Sequence, residues 1–469
     1  MKRDSAAVTM EDNAARKQRI RKVIRSLTTA ERPPPLPPAA YSRAAIVTTV
    51  RGIASDSLRS WCCYHLAVGF SRLFVYFDAE DELIGLDDER IICASLGATD
   101  WAQLGPPTDE WLEHAPAEVQ SRQALNALHA LHACVSDGSI AWLLHLDADE
   151  LFFTPSHDVR AHFCELGSRG VDALTYANLE AVPEQDLARA SEVPHEATTT
   201  AIPFAAVDLF KRNPRHIPET PQARAASAHW TSRGVRGDAP FNYYSNGKSV
   251  VRVAPRARPL SVHEWIPGSA ASLSHWYSFL GEGDLVKAWP PPGAAATAAA
   301  TDAAVLHFAC CSSSALWQRL RGGASRYRLR GALCAPPIYA RLARLARAPS
   351  HGSGSRLPEV VEEEGDGEEG DGEMPWESDD GDSGDGAQHD DAEQVVAADE
   401  DEPATIDDAE LRRRVEEEFE RLVVLRDADE AGRQIAAGVC VRVTLPANLF
   451  APRFAPGRVD TSVDTVGVQ

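Results

Sequence analysis

The stretch that most narrows the possible folds is residues 140–153, IAWLLHLDADELFF. Ile140 to Leu146 has the length and apolar content of a buried strand. Asp147, Asp149 and Glu150 follow at once. Carboxylates are almost never fully buried unless they are paired. The strand must therefore end where its acids meet solvent, a cation or a partner. Alternate residues of an extended segment point the same way, so Asp147 and Asp149 share one side. Such a pair suits Mg2+ or Mn2+, which take oxygen ligands and bridge carboxylates to substrate phosphates. The cation would neutralise a diphosphate leaving group, and Glu150 would orient its ligands. An EF-hand loop fails because Phe152 stands where that loop needs glycine. A phosphoaspartate D-x-D-x-T motif fails at Leu151. An acid-rich helix start remains as the plain alternative.

The flanking sequence alternates between two periods. AAIVTTV (44–50) and RLFVYF (72–77) read as buried strands, and VDALTYANL (171–179) as a further one. Between them, residues 57–69 and 118–135 carry apolar residues at helical spacing. Strand, helix, strand in this rhythm predicts an α/β fold with a mainly parallel sheet flanked by helices. Ligands of such sheets bind outside the carboxyl ends of the strands, where Asp147 and Asp149 stand. Residues 184–258 are rich in Pro, Arg and Asn and read as mostly loop. Helices are expected at 312–321, at 338–347 and from Ala409 to about Ala428, and a strand at 439–445. Thr405 and Asp408 are spaced as a capping box.

The 469-residue chain has a formal net charge of -22. Glu359 to Glu402 holds 21 acidic residues and no Lys or Arg, so the rest is nearly neutral. A nucleic-acid-binding face is not expected. Four regions follow: a basic, Pro-rich flexible arm (1–42), a globular domain (43–348), an acidic disordered linker (349–404) and a C-terminal appendage with a charged helix and a short strand (405–469). The acidic tract could attract a basic protein partner. No run long and apolar enough for a spanning helix or a secretory signal is present. The nine cysteines lack metal-site spacing and read as packed thiols.

The segment WLLHLDADELF resembles the W-x-x-x-x-D-x-D-E-F signature of glycosyltransferase family 92 and its relatives of the GT-A fold. Other blocks occur in the matching order. LRSWCCYHLAVGFSRLFVYFD resembles the opening block, with Trp61, Tyr64, His65, Gly69 and Asp78 in place. Gln120 precedes the signature as the family's glutamine does. NGKSVVR resembles G-K-S-I-V-R-P, Val262-His263 its following I-H, and VLHFACCS its L-x-H-Y-x-x-K-S. The resemblance covers about residues 44–325.

That resemblance implies a GT-A fold and transfer of a sugar, often galactose, from a nucleotide-diphosphate donor to a glycan acceptor with Mn2+. Asp147 and Asp149 would hold the metal and diphosphate, with His307 a further metal ligand and His275 its rival. Lys248 and Arg252 would neutralise the donor phosphates, and Asp78 would meet the ribose or base. Eukaryotic members sit in Golgi membranes by one spanning helix. Two departures stand out. Val50-Arg51-Gly52-Ile53 lacks the acid of the family's V-[RK]-N-E, and Cys311 replaces a common Lys. An inverting hexosyltransferase needs a base for the acceptor proton, and Glu264 and Asp238 are the candidates. The competing expectation is an inactive glycosyltransferase fold that binds or scaffolds, with the acidic tail as an interaction arm.

Overall fold

The computed structural model describes residues 41–79, 84–105, 109–168, 171–187, 202, 204–231, 240–268, 303–309, 311–318, 338 and 408–450. The N-terminal arm before Tyr41, the helix expected at 338–347 apart from Ile338, the acidic tract, Thr405, Asp238 and His275 lie outside the described residues.

The strands are β1 (Ala44–Val50), β2 (Arg72–Phe77), β3 (Ile91–Ala94), β4 (Trp142–His145), β5 (Glu150–Phe153), β6 (Ala173–Tyr176), β7 (Asn178–Ala181), β8 (Leu209–Lys211), β9 (Lys248–Arg252), β10 (Arg258–Pro259), β11 (Trp265–Ile266), β12 (Ala304–His307) and β13 (Cys440–Arg442). The principal helices are α1 (Ser55–Ala67), α2 (Val119–Asp137), α3 (Val159–Ser168), α4 (Pro221–Thr231), α5 (Asp408–Leu422) and α6 (Ala428–Ala436).

The first sheet has the order β3-β2-β1-β4-β9-β6. β1 pairs in parallel with β2 and β4, and β2 with β3, while β9 runs antiparallel to β4 and β6. This is the expected mixed α/β architecture, with a mostly parallel sheet flanked by helices. The two-residue period of β1 serves both faces. Ile46 and Val50 pack with Leu58, Trp61 and Cys62 of α1. Ala45 and Val47 pack with Ala127, Leu128 and Leu131 of α2.

A second sheet has the order β13-β8-β7-β12-β5. Two of the chain's passages from the first sheet to the second are short. One is the 146–149 turn between β4 and β5, and the other is Ala177 between β6 and β7. The expected strand at 171–179 is thus two strands in two sheets. The 184–258 region, expected to be mostly loop, contributes β8, α4 and β9. The charged C-terminal helix stops at Leu422 and restarts at Ala428, where Asp427 caps α6 by accepting from the Asp429 and Glu430 amides. β13 closes the second sheet against β8. The Trp230 indole donates to Gln434 across 3.2 Å. The C-terminal segment is therefore integral to the second sheet's packing.

All described cysteines are free thiols, and Cys62, Cys63, Cys134, Cys311 and Cys440 are buried. No helix among the described residues is long and apolar enough to cross a membrane.

Gly247 opens β9 at φ +72°, and a Cβ there would lie 2.0 Å from the Tyr176 carbonyl oxygen. Gly138, which ends α2 at φ +67°, would meet nothing within 4 Å. Both positions favour glycine, but only Gly247 also lacks space. In urea unfolding, Gly247→Ala is expected to cost more than about 3 kcal/mol and Gly138→Ala about 1 kcal/mol.

Candidate functional site

The site is assembled where β4 ends. Leu146 to Asp149 form the turn into β5, and the turn is closed twice. The Glu150 amide donates to the Asp147 carbonyl at 3.0 Å. The Asp147 amide donates to Glu150 Oε2 at 2.8 Å. Glu150 therefore shapes the D-A-D turn with its own side chain. The Phe308 amide holds the Asp149 carbonyl at 2.8 Å from the far side.

Strand β5 is fixed to α1 by side chains. The Trp61 indole donates to the Glu150 carbonyl at 2.7 Å, and the Tyr64 hydroxyl to the Phe152 carbonyl at 3.0 Å. His65 Nδ1 donates to the Trp61 carbonyl at 2.9 Å, and Nε2 accepts from the Phe152 amide at 3.1 Å. That pattern requires a neutral imidazole. Burial lowers the His65 pKa to about 3. The W-x-x-Y-H pattern thus positions the carboxylate turn from one helix face.

Asp147 has a protein donor on each oxygen. Gln123 Nε2, from the first turns of α2, lies 3.0 Å from Oδ1. Lys248 Nζ lies 2.7 Å from Oδ2. Lys248 is wholly buried, whereas the Asp147 side chain keeps 30% of its exposure. Lys248 Nζ also lies 3.6 Å from Glu150 Oε2 and 5.6 Å from the Tyr244 ring centroid. Burial opposes ionisation of Asp147, but the ammonium outweighs it and holds the carboxyl well below its ordinary value. Glu150 has no exposure, and burial pushes its carboxyl well above its ordinary value, favouring the neutral form. Lys248 and Asp147 thus form an ion pair, with Glu150 beside it pushed towards its neutral form.

Asp149 is buried beside this pair, at 9% exposure. His263 joins it, with Nδ1 donating to the Gly247 carbonyl at 2.8 Å. His145, the last residue of β4, is also buried, and neither ring nitrogen has a hydrogen-bond partner among the described residues. Burial, with Lys248 nearby, lowers His145 to about 3 and His263 to about 4.

The other expected site residues occupy defined places. His307 pairs in register with Glu150 on one side and Glu180 on the other, and its ring lies 4.8 Å from that of Tyr244. Arg252 stands at the opposite end of β9, beside Trp142, in a buried ion pair with Asp172 at 3.3 Å. Its place at the far end of the strand separates it from the carboxylate turn. Glu264 is half-buried at the hairpin of β10 and β11. The Trp265 indole pins that hairpin to the Ser249 carbonyl at 3.0 Å.

Asp78 ends β2 with its carboxylate 2% exposed. Arg122 grips it through Nε at 2.5 Å and Nη2 at 2.9 Å, and Arg51 lies at 3.2 Å. Burial raises the Asp78 pKa, but the two guanidiniums outweigh that and lower it. Two guanidiniums on one carboxylate leave positive charge in excess at the ends of β1 and β2. The Arg51 side chain is 52% exposed there. Sequence reading did not single out Arg51, Arg122, Gln123, His145 or Tyr244 as site residues. For Arg122 and Gln123 a signal existed, because polar residues in the first turns of α2 face the carboxyl ends of the parallel strands. The burial of Lys248 carried no such signal.

Asp147 and Asp149 offer the oxygen donors a hard divalent ion takes, but both Asp147 oxygens already accept from Gln123 and Lys248. Among the described residues, no three His, Cys, Asp or Glu side chains form a metal-binding group.

No protein-family model matches the chain. The sequence is similar to two proteins of Arabidopsis thaliana, each named glycosyltransferase-like. One is 24% identical over 238 residues, covering 47% of this chain and 48% of the relative. The other is 29% identical over 236 residues, covering 47% of this chain and 42% of the relative. The matched part thus spans under half the length of each relative.

Two outcomes follow. Asp147→Ala removes the nearest counter-charge of the buried Lys248 ammonium and is expected to cost about 3–5 kcal/mol in chemical unfolding. His65 takes a proton near pH 6.5 when unfolded but only near pH 3 when folded. Its stabilising contribution is complete above pH 6.5 and declines as pH falls towards 3. His65→Gln should therefore flatten the acid-side fall in unfolding free energy by up to about 1.4 kcal/mol per pH unit.

Proposed function

We propose that the chain is a glycosyltransferase that moves a hexose, galactose being the expected one, from a nucleotide-diphosphate donor to a glycan hydroxyl. The similarity to two relatives named glycosyltransferase-like supports a glycosyltransferase family. The observation that carries the reading is the position of Asp147 and Asp149. They stand at the carboxyl end of β4, beside β1 in a parallel arrangement, which is where such sheets bind ligands.

The donor diphosphate lies along the edge formed by the ends of β1, β2 and β4. The excess charge of Arg51 and Arg122 draws it there, and Asp78 holds both guanidiniums in place. Asp147 and Asp149 would hold Mg2+ or Mn2+, which supplies charge neutralisation to the departing diphosphate. Glu150 holds the turn that presents these carboxylates. Glu264 accepts the proton of the acceptor hydroxyl as that oxygen bonds to the anomeric carbon from the face opposite the departing diphosphate, and this single displacement inverts the carbon. The fixed geometry of the turn matters because a site misplaced by about 1 Å can lose about a hundredfold in rate.

A second reading, a binding or scaffold module without turnover, is favoured by the donors already present on both oxygens of Asp147. The two readings separate in one experiment. Purified chain is offered a panel of nucleotide sugars with Mn2+, and donor hydrolysis and transfer to glycans are measured. Turnover is expected for at least one donor, and Asp149→Asn should lower it by about a hundredfold or more while circular dichroism is unchanged. Donor binding with no turnover on any acceptor would favour the module, and full activity in Asp149→Asn would defeat the proposed site.

A further inference from the structure

We infer that helix α5 is a working part of the donor site: through the loop of residues 240–245 it holds the Lys248 and Asp147 pair in place, which makes Asn242 and Phe419 positioning residues. The consequence for sugar transfer rests on the donor site proposed above, whereas the coupling itself does not.

Helix α5 starts at Asp408, beyond the 44–325 stretch that resembles glycosyltransferases, yet it meets the site through one loop. Residues 240–245 form neither helix nor strand, so their backbone groups must find partners elsewhere. Buried side chains in or beside the second sheet supply them. Lys211 Nζ donates to the Pro240 carbonyl at 2.8 Å. Glu180, itself paired with Lys211, accepts from the Asn242 and Tyr243 amides at 2.9 and 3.0 Å. Asn178 Nδ2 donates to the Tyr244 carbonyl at 2.7 Å, and Asn213 Nδ2 to the Ser245 carbonyl at 2.9 Å. From the helix side, the carbonyl of Leu422, the last residue of α5, accepts from Asn242 Nδ2 at 3.0 Å. Tyr243 shares one apolar cluster with Val415, Phe419 and Leu422 of that helix. Lys211, Glu180, Asn178, Asn213 and Asn242 are all buried. Buried polar groups that are well paired specify one geometry, and here five of them converge on six residues.

The loop delivers Tyr244. Its ring lies 5.6 Å from Lys248 Nζ, within cation–π range, and 4.8 Å from each of the His263 and His307 rings. Lys248 in turn holds Asp147 at 2.7 Å. The path from α5 through Tyr243, Tyr244 and Lys248 to the turn after β4 is therefore unbroken, and a close-packed interior transmits a shift along it. The Asp147 side chain keeps 30% of its exposure, so its position depends on Lys248 and Gln123 rather than on its own burial. Loosening α5 frees that turn. Arg51 and Arg122, which draw the diphosphate, stand outside the path.

Hydrogen–deuterium exchange of the ligand-free, full-length chain tests the coupling. Asn242→Ala, Phe419→Ala and Gln434→Leu are compared with wild type. Gln434 ties α6 to Trp230, so its replacement loosens the C-terminal segment without touching the loop. Asn242→Ala and Phe419→Ala should speed exchange at residues 146–150 by about tenfold or more, and Gln434→Leu should not. Exchange there that is unchanged in both variants, or raised equally by Gln434→Leu, overturns the inference. If Phe419→Ala does not fold, Asn242→Ala decides. Turnover supplies the functional arm, with the nucleotide sugar that wild type uses. Both variants should lose about tenfold or more in kcat with KM held within about twofold, as expected when geometry rather than capture is disturbed. Phe419→Leu, which keeps an apolar contact, should recover most of the loss. Adding Phe419→Ala to Tyr244→Leu should cost no more than Tyr244→Leu alone, because both break the same path. Losses that multiply, or a rise in KM with kcat unchanged, overturn the positioning role. If wild type turns over no donor, the donor-site reading fails, while the exchange comparison still judges the coupling.

Discussion

The Lys248 ammonium, 2.7 Å from Asp147 and 3.6 Å from Glu150, joins the two halves of the structure. It projects from β9 of the first sheet onto a turn that leads into the second. Breaking such a buried pair is costly because the surviving charge has no water to return to. The same interaction that steadies the junction also sets the charge of the site. A turn of three acids would be strongly anionic if all were ionised. Lysine pairing and the burial of Glu150 reduce that charge.

Around that junction, rigidity is delivered from several directions. Trp61, Tyr64 and His65 hold β5 by its backbone, so α1 fixes the exit of the turn. Gln123 and Arg122, adjacent in α2, reach different carboxylates, Asp147 and Asp78. One helix thereby sets the spacing between the ends of β2 and β4. On the second sheet, the buried Lys211 and Glu180 pair holds the loop that carries Tyr243 and Tyr244. Each support is a side chain acting on backbone or on a charge, which leaves little freedom in the acids themselves.

Much of this was legible in the letters. β1 and β2 fall at 44–50 and 72–77 as read, because short, β-branched, fully buried strands have few competing interpretations. The D-A-D-E turn was legible because acids at the end of an apolar run demand a reason. The split of 171–179 at Ala177 was not, since both halves are apolar and nothing in their pattern marks a change of sheet. The burial of Lys248 was not legible for a physical reason: lysines usually keep their charge in water, and the partners that make burial tolerable, Asp147 and Glu150, are distant in sequence. Arg252 followed the same block of sequence yet sits a full strand length away, four residues on. The block lay in a region read as mostly loop, so nothing in the letters separated its two ends.

The central claim is that the ends of β1, β2 and β4, with the turn after β4 held by Lys248 of β9, form the donor diphosphate site. Hydrogen–deuterium exchange of the full chain with and without UDP and Mn2+ tests it most directly. The expected result is slower exchange at residues 146–152 and 247–250 and around Arg51 and Arg122, with the far end of β9 unchanged. Protection that appears only elsewhere, or none at the β4 turn when UDP is shown to bind, would contradict it.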